Sequence, residues 1–199
     1  MKFSIVLSGV GGQGTILATR TISLAAIQKG YSVRSTESLG MAQRGGSVVS
    51  HLRFGDGIKS PLVPDSGAEV LLGFEMLEVV RWVKKLKPGG VAIINTTVVP
   101  PHEMLSGAYK YNEAEIKGYL KDLKANTVLF DMQALAVKAG SFRATNAVLL
   151  GAFSAKGGSP LEPELLREVM AGLVPPKLVD VNLTAFDLGR EACLQEANF

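Results

Sequence analysis

The stretch "SGVGGQGT" sets Gly9, Gly11, Gly12 and Gly14 at the spacing G-x-G-x-x-G, with Gln13 inside the pattern and Thr15 directly after it. Glycines so spaced permit positive φ and close approach of the backbone to a bound group, and the first N–H groups of a following helix point into the turn. The occupant favoured by this chemistry is an anion, with N–H groups and the Gln13 and Thr15 side chains as donors. A helix terminus offers an anion only about 0.3 to 2 kcal/mol, and a charge-assisted hydrogen bond about 1.5 to 3 kcal/mol. Association costs roughly 4 to 15 kcal/mol, so a cation near the loop is expected.

A second stretch, "ESLGMAQRGGSVVSHLRFG" at residues 37–55, supplies a candidate. The Arg44 guanidinium is always charged and forks onto phosphate or carboxylate oxygens. Gly45 and Gly46 let the chain bend sharply and are expected to bring Gln43, Arg44 and Ser47 toward the first loop. Glu37 lies about twenty residues past that loop, where a dinucleotide-binding fold keeps its ribose-binding acid. It supports an alternative, a free-standing NAD(P)-dependent dehydrogenase, against which the following segment runs through the arginine loop into a strand without the usual helix. Asn146 is placed to bond a ligand or a neighbouring loop, or to cap or pack its own helix. His51 shares a strand face with Val49 and Arg53 and reads as structural, while His102, after two prolines, reads as loop. No catalytic residue is assigned. With no His, Cys or carboxylate group at ligand spacing, no metal is expected.

These residues need strand ends and helix starts to hold them. "KFSIVLSG" reads as a buried strand, residues 15–29 as a helix stopped by Gly30, and "YSVRSTES" as a second strand. Together they form a βαβ opening with the parallel pair such a crossover serves. "SVVSHLRFG" alternates as a strand and closes on "GDG", read as a hairpin turn. "AEVLLGF" and "VAIINTTVV" are further strands, separated by the amphipathic helix "EMLEVVRWVKKLKPGG" with Trp82 in its core face. Then come "EIKGYLKDL" as helix, "NTVLFDM" as strand, and "QALAVKAG" and "ATNAVLLGAFSAKGG" as helices. "SPLEPELLREVMAGL" reads as a helix with Ser159 as cap and Pro160 in its first turn. The alternation implies a three-layer α/β/α, Rossmann-like domain with a largely parallel or mixed sheet, and residues 1–199 read as a single domain.

Composition narrows the function. A net charge of +3 and a pI near 9.0 arise from dispersed basic residues, and aromatics make up 7% of the chain, so a nucleic-acid surface is not expected. One cysteine, Cys193, cannot frame a disulfide or hold an iron–sulfur cluster, and the cytoplasm is its natural setting. The opening "MKFSIVLSG" is too short for a signal peptide, and no apolar run approaches a membrane span.

Taken in order, "GVGGQGT", "ESLGMAQRGGSVVSHLRFG", "AEVLLGFEMLE" and "ATNAVLLGAF" closely resemble the gamma-type component of the 2-oxoacid:ferredoxin oxidoreductases, most nearly the indolepyruvate branch. The resemblance runs through essentially the whole chain. It implies an α/β component of a complex that converts a 2-oxoacid, coenzyme A and oxidised ferredoxin to acyl-CoA, carbon dioxide and reduced ferredoxin. It further implies thiamine diphosphate and iron–sulfur clusters in a larger catalytic partner subunit, contact with ferredoxin through the complex, and coenzyme A at the glycine loops. The "GDG" of residues 55–57 superficially resembles a thiamine diphosphate motif but lacks the asparagine pair expected further along. A purely structural assembly subunit is the remaining alternative.

Overall fold

The computed structural model describes residues 1–38, 45–99, 111–123 and 125–195. Among these, six strands form one mixed sheet: β1 Lys2–Val10, β2 Val33–Glu37, β3 Ser47–Gly55, β4 Ala68–Gly73, β5 Leu86–Asn95 and β6 Asn126–Phe130. Their order is β2-β3-β1-β4-β5-β6. β1, β4, β5 and β6 are successively parallel, while β3 runs antiparallel to both of its neighbours. The expected βαβ opening is therefore corrected in one respect: β1 and β2 run the same way but do not pair, because β3 lies between them. The pattern of apolar residues marks each strand without naming its neighbour. The "GDG" segment turns but makes no hairpin, since the strand after it, β4, pairs with β1 rather than β3.

Among the described residues seven helices accompany the sheet: α1 Thr15–Gln28, α2 Met76–Trp82, α3 Glu113–Lys121, α4 Met132–Lys138, α5 Thr145–Lys156, α6 Pro163–Leu173 and α7 Val179–Gln195. Alternation along the strands separates two apolar layers. Ile5, Leu7, Leu52, Phe54, Leu72 and Ile93 face α1 and the α4–α7 group. Val6, Val49, Leu71 and Ile94 face α2 and α3. The three-layer arrangement follows, because a sheet buried on both faces needs helices on both.

Two elements differ from the sequence reading in extent. The helix expected to run to Gly90 ends at Trp82 with a short 3-10 turn over Val83–Lys85, and β5 begins at Leu86. Pro88, Gly89 and Gly90 cannot continue a helix, and Gly89 has φ of 73° at a register shift between β4 and β5. α6 starts at Pro163, with Glu162 rather than Ser159 before it. The second of two prolines takes the first helical position, and the Ser159 hydroxyl accepts from the Leu161 amide instead.

α5 and α7 cross where Gly151 and Gly189 lie. A Cβ on Gly151 would collide with the Phe186 carbonyl, and one on Gly189 with the Val148 carbonyl. The missing side chains let two backbones touch, which seats α5 and presents its N-terminus beside the glycine loop.

Candidate functional site

β1 ends at Val10, opposite Ser47 of β3. One step further, the Gly11 amide donates to the Gly46 carbonyl at 2.8 Å, and the Gly45 amide donates to the Gly11 carbonyl at 3.2 Å. Two residues of one strand thus oppose one of the other, with Gly45 at φ 78°, which is the pattern of a glycine-type β-bulge. The two glycine segments meet here. Gly12 at φ 101° and Gly14 at φ 90° then carry the chain into α1, with Gly14 as its cap residue.

The remaining positions divide by what holds them. A Cβ on Gly9 would come 2.7 Å from the Phe74 Cβ, so this glycine serves close packing of β1. Gln13 does not offer its amide to the cleft: its Oε1 accepts from the Val10 amide at 2.7 Å and its Nε2 donates to the Phe74 carbonyl at 3.1 Å. The side chain clamps the loop, an outcome that motif spacing does not foretell. Ser47 lies on the α2 side of β3 by alternation, and its hydroxyl donates to Glu78 rather than converging on the glycine loop. Gln43 and Arg44 lie outside the described residues, as does His102. His51 is held as expected of a structural histidine. Its Nδ1 accepts from the Val63 amide at 3.1 Å, and burial, aided by Lys85, pushes its pKa below the ordinary value.

Two cavities flank the loop. One, of 460 Å³, is lined by Gly11, Gly12, Gly14, Thr15, Arg20, Glu37 and Ser50 among others, so Glu37 and the glycine loop border one cavity. The other, of 430 Å³, lies between the loop, the end of β5 and the start of α5, and includes Gly12, Gly14, Asn95, Gln133, Arg143 and Thr145. Asn146 packs against the loop, since a Cβ on Gly14 would stand 3.1 Å from its side chain. α1 lacks both a side-chain cap and an acidic residue in its first turn. At the start of α5, by contrast, the Thr145 amide donates to the Phe142 carbonyl and the Ala147 amide to Asn146 Oδ1 at 2.9 Å, so Asn146 satisfies its own helix. α2, α3 and α4 are capped by Glu75, Asn112 and Asp131. The uncapped start of α1 therefore borders the cavity, with Arg143 at its rim, the guanidinium 5.8 Å from the Phe142 ring centroid. An anion there would meet the partial positive charge and N–H donors of the α1 start on one side and the Arg143 guanidinium on the other.

Behind the loop, Asn95 joins three segments. Its Nδ2 donates to the Phe74 carbonyl at 3.2 Å, the same carbonyl that Gln13 uses, and its Oδ1 accepts from the Met132 amide at 3.0 Å. Neither Asn95 nor Arg143 announces itself in the sequence. "NTT" falls in a stretch that reads as strand and Arg143 lies between two stretches that read as helices, "QALAVKAG" and "ATNAVLLGAFSAKGG", and only the fold brings both to the glycine loop.

A family profile described as "Pyruvate ferredoxin/flavodoxin oxidoreductase" matches residues 4–192. The chain belongs to this family. It is 41% identical over 199 residues to "Indolepyruvate oxidoreductase subunit IorB" of Pyrococcus horikoshii, covering 99% of this chain and 98% of that relative. Among solved structures, it resembles the gamma subunit of a keto/oxoacid ferredoxin oxidoreductase from Geobacter sulfurreducens, with TM-score 0.73 and 26% identity, covering 97% and 99% of the two chains. The fold also recurs within the 2-oxoglutarate:ferredoxin oxidoreductase of Magnetococcus marinus, solved with 2-oxoglutarate, coenzyme A and succinyl-CoA bound. There the TM-score is 0.72 at 22% identity, covering 98% of this chain and 31% of that one. Within the family, then, this is a gamma-type subunit of an oxidoreductase complex.

The side chains of this subunit do not fit the redox groups of such a complex. A cluster takes several thiolates, and the one cysteine, Cys193, is buried inside α7. Among the described residues no three His, Cys, Asp or Glu side chains gather. Asp56 of "GDG" pairs with the Met1 amino group at 2.6 Å. Among the described residues no helix is long and apolar enough to cross a membrane.

Proposed function

We propose that this chain is the small, cluster-free subunit of an indolepyruvate or other arylpyruvate:ferredoxin oxidoreductase and that its glycine cleft receives the anionic part of coenzyme A. It works in the cytoplasm beside a larger subunit that carries thiamine diphosphate and the iron–sulfur clusters, and ferredoxin docks on the complex. The observation that carries this reading is the full-length 41% identity to an indolepyruvate oxidoreductase subunit. The cleft supports it. Gly12 and Gly14 line it, the uncapped start of α1 borders it, and Arg143 supplies a permanent charge at the rim. Arg44 is a proposed second contributor from the sequence pattern, together with Gln43, Thr15, Asn146 and Glu37 around the same loops.

In this role the chain holds and orients coenzyme A, and the decarboxylation and electron transfer belong to the partner's groups. Phosphate oxygens are matched by backbone N–H groups and guanidinium, and Gln13 holds the loop to the Phe74 carbonyl, which Asn95 also bonds. The nicotinamide reading is weakened by topology. A dinucleotide-binding sheet sets the strand bearing the ribose acid beside the glycine-loop strand, whereas here β3 separates β2 from β1.

The test is purification with the native large subunit and an assay of ferredoxin reduction against indolepyruvate, phenylpyruvate, pyruvate and 2-oxoglutarate. Coenzyme A-dependent reduction strongest with the arylpyruvates is expected. Reduction that needs no 2-oxoacid, or tight NADH binding by the chain alone, overturns the reading.

A further inference from the structure

Glu75 and Glu78 stand one turn apart at the start of α2, both with relative exposure of 0%. Burying two carboxylates is costly unless each is matched by donors. Glu75 Oε2 accepts from the Glu78 amide at 3.0 Å and its Oε1 from the Tyr111 hydroxyl at 2.5 Å. Glu78 accepts from the Ser47 hydroxyl, and its Oε1 lies 3.3 Å from Arg81 Nε. These contacts are on the sheet face opposite α1 and lie outside the cleft described above.

We propose that Glu78 is a positioning residue for the glycine cleft, acting through Ser47 on the Gly45–Gly46 bulge, with Glu75 fixing Glu78 from below. Ser47 is the first residue of β3 and pairs with Val10, and the next ladder step is the Gly11 contact with Gly45 and Gly46. A strand end that follows a left-handed glycine has little intrinsic preference for one geometry. A charge-assisted bond from a buried carboxylate to Ser47 supplies the missing constraint. Neighbouring strand residues point to opposite faces, so clamping Ser47 on the α2 side sets Val48, which lines the cleft on the α1 side. The buried acid of α2 thereby fixes how the two glycine segments meet.

Amide hydrogen exchange on the full chain tests this without any ligand. The Gly11 and Gly45 amides are the donors across the junction, and Leu7 and Leu52 serve as mid-sheet references. Ser47→Ala is expected to speed exchange at Gly11 and Gly45 about tenfold while the references stay within about twofold. Glu78→Gln retains an acceptor but loses the charge and is expected to lie between wild type and Ser47→Ala, and Glu78→Ala to match Ser47→Ala. If Glu78→Ala fails to fold, Ser47→Ala decides. Unchanged exchange at Gly11 and Gly45 in Ser47→Ala, or equal acceleration throughout the sheet, overturns the proposal.

The kinetic consequence rests on the coenzyme A reading above. In the assembled complex, Ser47→Ala should raise KM for coenzyme A by about fivefold to tenfold with kcat within about twofold. Faster exchange with an unaltered KM leaves the positioning role standing and removes the coenzyme A assignment instead.

Discussion

The Gly45 amide reaches the Gly11 carbonyl at 3.2 Å, joining two glycine segments that are more than thirty residues apart in the chain. Gly45 does so at φ 78°, in the left-handed region. A side chain there costs about 1 to 2 kcal/mol. Gly45→Ala should therefore lower the thermal midpoint by about 2 to 8 °C, measured by calorimetry. A midpoint equal to wild type would show that the bulge tolerates a Cβ.

Arg143 bears on binding and little on stability. It is exposed, and its neighbour in the described structure is the Phe142 ring. Removing a charged donor to a phosphate forfeits about 1.5 to 3 kcal/mol, so Arg143→Ala should raise KM for coenzyme A about tenfold or more in the assembled complex. Its midpoint should shift by no more than about 1 °C. Arg143→Lys should fall between, because an ammonium keeps the charge and loses the fork. An unchanged KM in Arg143→Ala places the anion elsewhere.

Gly151 offers a sharper stability test. Its missing side chain admits the Phe186 carbonyl, a backbone atom that no rotamer change can move aside. Gly151→Ala should cost about 3 kcal/mol or more, equivalent to roughly 6 to 12 °C for a chain of this size. Gly118, with open space around its Cβ position, is the control, and Gly118→Ala should be neutral or mildly stabilising because it raises helix propensity. Similar midpoints for the two variants would contradict the observed crossing of α5 and α7.

Two buried groups shape stability against pH with opposite signs. Burial, opposed by the Tyr111 hydroxyl and two backbone amides and reinforced by Glu78, holds the Glu75 pKa above the ordinary 4.5. The folded state then keeps a proton that the unfolded chain has released, so this contribution is lost as pH rises from the ordinary glutamate range through the raised value. Glu75→Gln should remove that slope. His51 behaves conversely. Its pKa is lowered from 6.5 by burial and then by Lys85, so stability is lost as pH falls below 6.5 toward the lowered value. His51→Gln should flatten the acid side. Each slope is read as the difference between variant and wild-type midpoints over pH 4 to 8, and parallel curves for variant and wild type would count against that residue.

Much of the fold is written locally. The apolar runs of β1 and β4, the helical spacing of α1, and the glycines that must turn at Gly12 and Gly14 follow from short stretches of sequence, because strand alternation and positive φ are decided within a few residues. The glycine cleft could be read for the same reason. The neighbour of each strand, by contrast, is a choice among similar apolar faces, and only packing of the whole sheet set β3 between β2 and β1. That choice brought Gly45 to Gly11. Packing also turned Gln13 inward to Phe74, gave Ser47 to the buried Glu78, and carried Asn95 and Arg143 to the loop from distant segments. Which donors face a cleft and which are consumed in building it depends on long-range hydrogen bonds, and those exist only once the layers have closed.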